Sequence, residues 1–359
     1  MRPEPRSGPR RAMPWGDLPR GSFPGDGLAV IDKDPGVTSH DVVGAVRRMA
    51  GTKKVGHAGT LDPMATGVLC IGLGRATKLL RYVTGTAKEY EATIRFGIET
   101  STEDAQGEIV RARGAREADA AELARAMANL TGDVLQVPSS VSALKVEGRR
   151  AYDLVREGRE VVLDARPIRV DVFEAVGGPR FAEACGAPVF DLDVRVVCGA
   201  GTYVRALARD LGEELGFGAH LTSLRRTRVG PWDVGEAASV RECADAVEAD
   251  GQMPVHTLAD LCRAMFPALE VSEEAARDLR MGRFVSADSP FDFLGVKAAA
   301  SDALASSAAG SDALGSGPDG RGSGSAVAVA WSDGTPVALV SRRGGRVKPD
   351  LLLTPASEE

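Results

Sequence analysis

The chain has 359 residues, of which 43% are hydrophobic and 26% charged, a balance typical of a globular protein large enough for two domains. Its formal net charge of -6 argues against a protein that coats nucleic acid indiscriminately, although local basic surfaces are compatible with it. The sequence shows no signal-peptide pattern and no apolar run of about 18 residues, so we expect a cytoplasmic protein that does not bind membranes.

Cysteine and histidine placement argues against a disulfide framework and against a metal site. The five cysteines are odd in number and scattered, without a C-x-x-C pair. The four histidines are equally dispersed, so no zinc-ligand spacing is present. We therefore predict that the protein holds no metal.

Predicted elements in chain order mix strands and helices. Residues 1–26 are rich in Arg, Pro and Gly and predict a disordered basic extension. Apolar runs and alternation predict strands at Leu28–Asp32, Val68–Leu73, Tyr90–Phe96, Ile168–Val176 and Phe190–Cys198. Helical periodicity and end signals predict helices from Ser39 as the cap to about Ala50, and at Ala76–Val83, Ala118–Leu130, Ala151–Glu157 and Arg205–Leu215.

The composition changes sharply near the C-terminus. Residues 297–325 are almost wholly Ala, Ser, Gly and Asp, which predicts a disordered insertion. Short strands are predicted after it, at Ala326–Trp331 and Val337–Val340. We therefore predict a larger domain over 27–250 and a small domain over 255–359. The fold class is α+β, with a mixed or antiparallel central sheet flanked by helices.

The segment Gly56-His57-Ala58-Gly59-Thr60-Leu61-Asp62-Pro63 is the most informative part of the chain. Its two glycines can adopt backbone angles closed to other residues and let a ligand approach the main chain. Pro63 keeps Asp62 out of the helical region, so the direction of this carboxylate is restricted by covalent geometry. The pattern predicts a tight polar loop that presents one carboxylate to a substrate.

Two further segments combine aromatic and charged side chains. Gly201-Thr202-Tyr203-Val204-Arg205 lies between a predicted strand and helix, and Tyr203 and Arg205 would face the same way in an extended backbone. An aromatic face with a guanidinium suits an unstacked base and a nearby carboxylate or phosphate. Lys88-Glu89-Tyr90 places another aromatic residue at a strand start.

Together these segments resemble the ordered motifs of the TruB family of tRNA pseudouridine synthases. The resemblance runs over roughly residues 27–235 without large gaps. Its motifs are Asp32–Ser39, Gly56–Pro63, Ala65–Leu69, Lys88–Tyr90, Gln136–Pro138 with Ser142–Val146, Ala151-Tyr152, Gly201–Arg205, Gly218–Leu221 and Leu224–Arg226. The chain departs from the family where Asp34 replaces a common Pro, and where Ser139-Ser140-Val141 replaces Pro-x-[YF].

The resemblance implies a pseudouridine synthase fold, with a small, mostly β, PUA-like domain at the C-terminus. It also implies isomerisation of a uridine in the T arm of tRNA to pseudouridine. The N1–C1′ bond breaks, the uracil turns, and C5 joins C1′, so neither metal nor cofactor is required. The target base would be flipped out of its stack to expose these atoms.

The resemblance also assigns roles to individual residues. Asp62 is the essential carboxylate, and whether it attacks the sugar or removes the C2′ proton stays open. Arg205 would keep Asp62 ionised by pairing with it, and Tyr90 would stack on the base and relay the C5 proton. Four other residues are assigned to substrate or RNA binding. They are His57 in the space left by the flipped nucleotide, Tyr203 and Leu224 in the base pocket, and Lys33.

RNA binding is expected from a basic insertion. Residues 130–160 resemble a family segment that grips the RNA arm, and its cations suit phosphate contacts. These cations are Lys145, Arg149, Arg150, Arg156 and Arg159. The basic run at 225–228 is expected to contribute more than the run at 342–348. We expect a monomer with tRNA as its partner and no protein partner. The alternative is a tRNA-binding or tRNA-folding protein without chemistry, which would not need Asp62 tied to Arg205.

Overall fold

The computed structural model describes residues 13–23, 25–115, 119–139, 145–146, 149–150, 163–286, 327–343 and 345–354. The predicted insertion at 297–325 and the predicted helix Ala151–Glu157 lie outside these residues. The proposed domain division therefore stays a prediction over those segments.

The described strands fall into a large first sheet, two small hairpins and a second sheet. The strands that precede the second sheet are β1 (Gly27–Lys33), β2 (Val55–Ala58), β3 (Thr66–Leu73), β4 (Lys88–Phe96), β5 (Ile98–Thr100), β6 (Ile109–Ala112), β7 (Gly132–Gln136), β8 (Lys145–Val146), β9 (Arg149–Arg150), β10 (Arg166–Ala175), β11 (Arg180–Ala184), β12 (Ala187–Cys198), β13 (Ala219–Val229), β14 (Trp232–Asp233), β15 (Ala238–Ser239) and β16 (His256–Thr257). The second sheet contains β17 (Ala268–Glu270), β18 (Val285–Ser286), β19 (Val327–Ser332), β20 (Thr335–Arg343) and β21 (Arg346–Leu352).

In chain order, most of the described helices fall between strands of the first sheet. They are α1 (Ser39–Met49), α2 (Leu80–Gly85), α3 (Ala120–Asn129), α4 (Val204–Glu214), α5 (Val240–Asp250), α6 (Leu258–Met265) and α7 (Glu273–Arg280), with short 3₁₀ turns at Gly74–Lys78 and Val234–Glu236. Helix α1 begins at Ser39, so its N-cap is the preceding residue. Thr38, not the predicted Ser39, caps it, through a reciprocal capping box with Asp41.

The first sheet is mixed, which confirms the predicted fold class. Its main strand order is β15-β1-β3-β13-β4-β12-β10-β7. Strands β3 and β13 run parallel, as do β1 and β15, whereas the other neighbours on this path are antiparallel. This order places β3 and β4 on either side of β13, so that two neighbouring segments of the chain meet a distant third one at the centre of the sheet.

Helices cover both faces of this sheet, and strand β1 is therefore buried on both of its faces. Ala29 and Ile31 join a core with α1, α4 and α5, whereas Leu28 and Val30 join a second core with α2 and α6. The period-2 alternation of side chains along a strand produces this division. The second core extends to Trp331 in β19, so it also packs the C-terminal sheet against the first sheet.

The C-terminal sheet has the order β17-β19-β20-β21-β18. Helix α7 buries Ala276 and Leu279 against it. This arrangement confirms the predicted small, mostly β element at this end of the chain.

Residues 13–23 contradict the predicted disordered extension. Trp15 and Leu18 are buried in the first core. The indole Nε1 of Trp15 donates to Asp34 Oδ2 at 2.6 Å, and Arg48 donates to the carbonyl of Leu18. The prediction was wrong here because the apolar residues in this Pro- and Gly-rich stretch bury enough surface to order it.

Candidate active site

Only the second half of the predicted loop around Asp62 is a loop, because its first half is a strand. Val55–Ala58 forms strand β2 and pairs with β3, so His57 lies on a strand opposite Ile71. The turn itself begins at Gly59, whose φ of 73° is in the left-handed region that favours glycine. Asp62 therefore lies within the turn that links β2 to β3.

The first half of this turn is fixed by two side chains from other elements. The hydroxyl of Ser39 donates to the carbonyl of Leu61 at 3.2 Å and accepts from its N–H at 3.0 Å. Arg226 Nη2 donates to the carbonyl of Gly59 at 3.1 Å. Because these bonds hold the main chain just before Asp62, its backbone has little freedom to move.

The second half of the turn is fixed through its carbonyl groups. The carbonyl of Pro63 accepts from the N–H of Gly36 at 2.6 Å and from Lys33 Nζ at 3.3 Å. The N–H of Ala65 donates to the carbonyl of Asp62 at 3.1 Å. The carboxylate of Asp62 is thus held on a rigid main chain, as the sequence predicts.

Arg205 clamps the carboxylate of Asp62 in a bidentate pair. Arg205 Nε lies 2.8 Å from Asp62 Oδ2, and Nη2 lies 3.1 Å from Oδ1. The arginine side chain is 3% exposed, whereas that of Asp62 is 35% exposed. The guanidinium is therefore buried behind the carboxylate, which faces open space.

The remaining guanidinium nitrogen of Arg205 is also engaged. Nη1 donates to the carbonyl of Thr102 at 2.8 Å and to the hydroxyl of Ser139 at 2.7 Å. Burial alone would lower the pKa of Arg205, but the negative charges of Asp62 and Asp104 outweigh burial and raise it. Arg205 is thus a permanent cation beneath Asp62.

Tyr203 and Arg205 do not share an extended face, contrary to the expectation from their spacing. Helix α4 begins at Val204, with Tyr203 as its N-cap, so the backbone is already helical at Arg205. The side chain of Gln136 holds the main chain of Tyr203, since it donates to the carbonyl at 3.1 Å and accepts from the N–H at 2.9 Å.

Tyr90 lies in β4 beside the strand that carries Leu224. It is buried, and burial raises the pKa of its phenol, an effect that the positive charge of Arg226 opposes. Because this pKa is raised, the phenol of Tyr90 is protonated at neutral pH. Leu224 is also buried and lies opposite Ala92 across the β4–β13 pairing.

His57 is partly buried beside a second histidine. Its ring meets that of His40 edge to face, with centroids 5.4 Å apart. Burial, followed by His40 and Arg226, lowers the pKa of His57, so its imidazole is neutral at pH 7. Its Nδ1 is buried without a hydrogen-bond partner among the described residues.

Buried cations lie around this site, and their burial was not predicted from the sequence. Arg226 is 1% exposed, and its Nε donates to the carbonyl of Val68 at 2.7 Å. Lys88 is also buried and donates to the carbonyls of Thr84 and Thr86. Burial lowers the pKa of Lys88 to about 8. Alternation could have revealed Arg226, because it lies two residues after the buried Leu224 on the same strand.

Lys33 is a third buried cation, although it was expected among the substrate- and RNA-binding residues. Its ammonium donates to the carbonyls of Asp34, Val37 and Pro63. Burial lowers the pKa of Lys33 to about 8. At 1% exposure it cannot reach RNA directly, and its observed contacts support the turn that carries Asp62.

The basic run at 225–228 does not form the free phosphate-binding patch that was expected. Arg225 makes a bidentate pair with Asp32, at 3.0 and 2.7 Å, and Arg228 Nη2 lies 3.1 Å from Glu89 Oε2. Arg226 is buried. The run looked solvated in the sequence because the acidic partners lie on other strands.

The residues predicted to grip the RNA arm belong to a different segment of the sequence from Asp62 and Arg205. Lys145 pairs with Arg150, and Val146 with Arg149, in the hairpin β8–β9. Arg156 and Arg159 fall outside the described residues.

No metal or membrane feature emerges in the part of the chain that the structure describes. It contains no group of three or more His, Cys, Asp or Glu residues that could hold a metal ion. Its helices are too short or too polar to cross a membrane.

Two family models match the chain over residues 47–270. The TruB family pseudouridylate synthase N-terminal domain matches residues 47–204, and the tRNA pseudouridylate synthase B C-terminal domain matches residues 205–270. The site and these matches define the class of protein, an RNA-modifying isomerase. The chain belongs to the TruB family of pseudouridylate synthases.

Individual relatives extend the similarity over nearly the whole chain. A protein from Arthrobacter sp. (strain FB24) named tRNA pseudouridine synthase B is 46% identical, over 93% of this chain and 98% of its own length. A protein of the same name from Mycobacterium leprae is 50% identical, over 78% of this chain and 84% of its own length. Nothing in these matches supports the alternative of an RNA-binding protein without activity.

Solved structures confirm the fold independently. An H/ACA ribonucleoprotein bound to a substrate RNA containing 2′-deoxyuridine superposes with a TM-score of 0.62 at 20% identity, covering 92% of this chain and 86% of that chain. An archaeal box H/ACA complex gives a TM-score of 0.59 at 21% identity, covering 92% and 87%. At these identities the similarity establishes the fold alone.

Proposed function

We propose that this protein isomerises a uridine in the T arm of tRNA to pseudouridine, with Asp62 acting on the sugar. The observation that carries the proposal is the half-exposed carboxylate of Asp62, paired on its buried side by Arg205 and held on a turn whose main chain is tied at both ends. The name of the relatives, tRNA pseudouridine synthase B, supports tRNA as the substrate.

The chemistry explains why one carboxylate suffices. The reaction breaks N1–C1′, forms C5–C1′ and moves one proton from C5 to N1, so it is redox-neutral and intramolecular. Asp62 either attacks C1′ or removes the C2′ proton, and both routes need an ionised carboxylate with a fixed direction. Arg205 provides that direction, and its burial leaves the outer face of the carboxylate for the sugar.

The surrounding side chains supply the base pocket in this proposal. Tyr90 stacks on the flipped uracil, and its protonated phenol can relay a proton only if it donates one as it accepts another. Leu224 and Tyr203 contribute apolar and aromatic surface to the same pocket. His57, neutral at pH 7, fills the space that the flipped nucleotide vacates without adding charge.

RNA binding is assigned to the insertion at 130–160. Lys145, Arg149 and Arg150 contact phosphates of the RNA arm, which fixes register and orientation rather than sequence. We further propose that the protein acts as a monomer in the cytoplasm. The tRNA substrate that the relatives' name indicates supports this location.

The proposal is tested by nucleotide-resolution pseudouridine mapping of an unmodified tRNA transcript incubated with the purified protein and no added cofactor. We expect one new pseudouridine, in the T arm. A transcript with cytidine at that position is the matched control and should remain unmodified. Pseudouridine confined to another part of the tRNA, or none in a folded transcript, would contradict the proposal.

A further inference from the structure

The guanidinium of Arg205 has two functional edges. One edge, Nε and Nη2, holds Asp62. The other nitrogen, Nη1, carries two hydrogens that are directed to the Thr102 carbonyl and to the Ser139 hydroxyl. A planar guanidinium cannot adjust one edge without turning the other, so the groups that hold Nη1 also set the direction of the bonds to Asp62.

Ser139 differs from Thr102 in how it holds Arg205. Its hydroxyl is a side-chain group that can be removed by substitution, it lies 2.7 Å from Nη1, and the residue is completely buried. Its bond is charge-assisted and shielded from water, which strengthens it relative to an exposed contact. Ser139 also occupies the stretch where this chain departs from the family's Pro-x-[YF], and a proline there would have no hydroxyl to offer.

The segment that carries Ser139 is anchored to the start of α4 at two further points. The Gln136 side chain holds the main chain of Tyr203 from both sides. Arg209 Nη2 donates to the carbonyl of Val137 at 2.7 Å. Ser139 is therefore placed by a main chain that is already fixed on the helix that carries Arg205, so its hydroxyl has a defined position rather than a chance contact.

We propose that Ser139 is a positioning residue that orients Arg205, and through it Asp62, for pseudouridine formation. This inference rests on the proposed function of Asp62 and adds to it a residue that the sequence motifs do not mark. Loss of the hydroxyl removes one of the acceptors that hold Nη1 and weakens the constraint on the direction of the guanidinium. We expect substrate binding to change little, because Ser139 is completely buried and its hydroxyl contacts Nη1, the nitrogen that does not bind Asp62.

The kinetic test compares Ser139→Ala and Ser139→Cys with the wild type at saturating tRNA. We expect both variants to lower kcat about tenfold or more and to leave KM within about twofold, since the bond removed is to a buried charged group. Cysteine fills the same space but accepts hydrogen bonds weakly, so it separates packing from hydrogen bonding. Wild-type turnover in either variant would overturn the proposal. Ser341→Ala is the matched control, because its buried hydroxyl has no partner among the described residues.

A double-mutant cycle with Arg205→Lys shows whether Ser139 acts through the arginine. Lysine keeps the charge but has no Nη1, so adding Ser139→Ala should lower the residual single-turnover rate by less than about twofold. Multiplicative losses would show that Ser139 acts elsewhere and would overturn the proposal.

The same cycle measured by denaturant unfolding reports the contact without catalysis. We expect coupling between the two substitutions in unfolding as well as in turnover. If the two substitutions were coupled in unfolding but not in turnover, the bond would be structural only, and the positioning role would be rejected. Failure of the wild type to modify tRNA would instead reject the proposed function of the site, and the positioning role would fall with it.

Discussion

Two bidentate arginine–aspartate pairs join residues that are distant in the chain, with nearly the same geometry but in different surroundings. Arg205 and Asp62 meet through bonds of 2.8 and 3.1 Å, and Arg225 and Asp32 through bonds of 3.0 and 2.7 Å. In the second pair the side chains are 39% and 29% exposed, so water reaches both partners. In the first pair only the carboxylate is accessible.

The difference shows how a common ion pair becomes directional. A pair that is exposed on both sides is screened and contributes at most about 1 kcal/mol to stability. Burying only the arginine leaves its charge unscreened on one side and directs the open face of the carboxylate outward. The buried Lys33 interacts electrostatically with Asp62, and the buried Arg226 binds the turn at Gly59, so both add positive potential there.

The largest difference between the two pairs is expected in turnover, when the charge of the aspartate in each pair is removed. Asp62→Asn should lower pseudouridine formation by more than the roughly 10²–10⁴-fold typical of an auxiliary acid or base, with little change in tRNA affinity. Asp32→Asn, the matched change in the exposed pair, should leave turnover within about threefold. Quantitative pseudouridine mapping measures both variants. If Asp62→Asn kept a tenth of wild-type turnover, the assignment of Asp62 would be wrong.

A second contrast separates the arginines that we propose to bind RNA from an arginine that is paired within the protein. The double change Arg149→Ala with Arg150→Ala should raise KM about tenfold and leave saturated turnover largely intact, because phosphate contacts bind ground and transition states equally. It should also reduce the salt slope by somewhat less than one unit for each phosphate that the variant no longer binds.

Arg225→Ala is the control for this contrast. Because Arg225 is paired with Asp32, we expect KM within about twofold and an unchanged salt slope. Steady-state kinetics at several salt concentrations measure all of these variants. An insertion variant with lower turnover at saturating tRNA and an unchanged slope would show that the insertion serves catalysis rather than grip.

The buried cations give the Asp62 region a distinctive pH dependence. The pKa of Lys88 is about 8 in the folded protein against 10.5 for an unperturbed lysine, because burial disfavours its charge. This penalty on folding is fully present below pH 8 and disappears as pH rises through 10.5. The stability of the wild type relative to Lys88→Met should therefore increase between pH 8 and 10.5, by at most about 3 kcal/mol.

Denaturant unfolding across this range measures the difference. The exposed Lys78→Met is the matched control, and its difference from the wild type should stay flat with pH. A flat profile for Lys88→Met as well would show that Lys88 is not held in the environment described.

The smallest effect is expected from a deletion outside the described residues. Deleting residues 297–325 should leave folding and turnover nearly unchanged, because loop-closure entropy changes by only about 0.6 kcal/mol per doubling of loop length. Thermal unfolding and turnover check this expectation. Precipitation or loss of turnover on deletion would assign the segment a role that its composition does not indicate.

Local sequence signals found the centre of the site but not its support. Asp62 stood out because Gly59 permits a tight turn and Pro63 restricts the backbone, and the resemblance added the pairing of Asp62 with Arg205. The burial of Arg226 was missed because a run of arginines resembles a solvated face until its strand register is known. The role of Ser39 was misread for a similar reason, since its bonds to Leu61 join residues 22 positions apart.

The fold class was predictable because strand and helix periods are local properties. Strand order was not, since the parallel pairing of β3 with β13 joins segments separated by more than a hundred residues. Composition also misled at the N-terminus, where proline and glycine content outweighed the few apolar residues that the core requires.

The bond between Trp15 and Asp34 has a practical consequence for shortening the chain. Composition suggests trimming to residue 26, but this cut would remove Trp15 and Leu18 from the core and leave Asp34 without its indole donor. The turn beside Asp34 also contains Lys33, so the damage would reach the support of Asp62. A chain that starts at Met13 keeps these contacts, and the fluorescence of Trp15 would report whether the N-terminal segment remains docked.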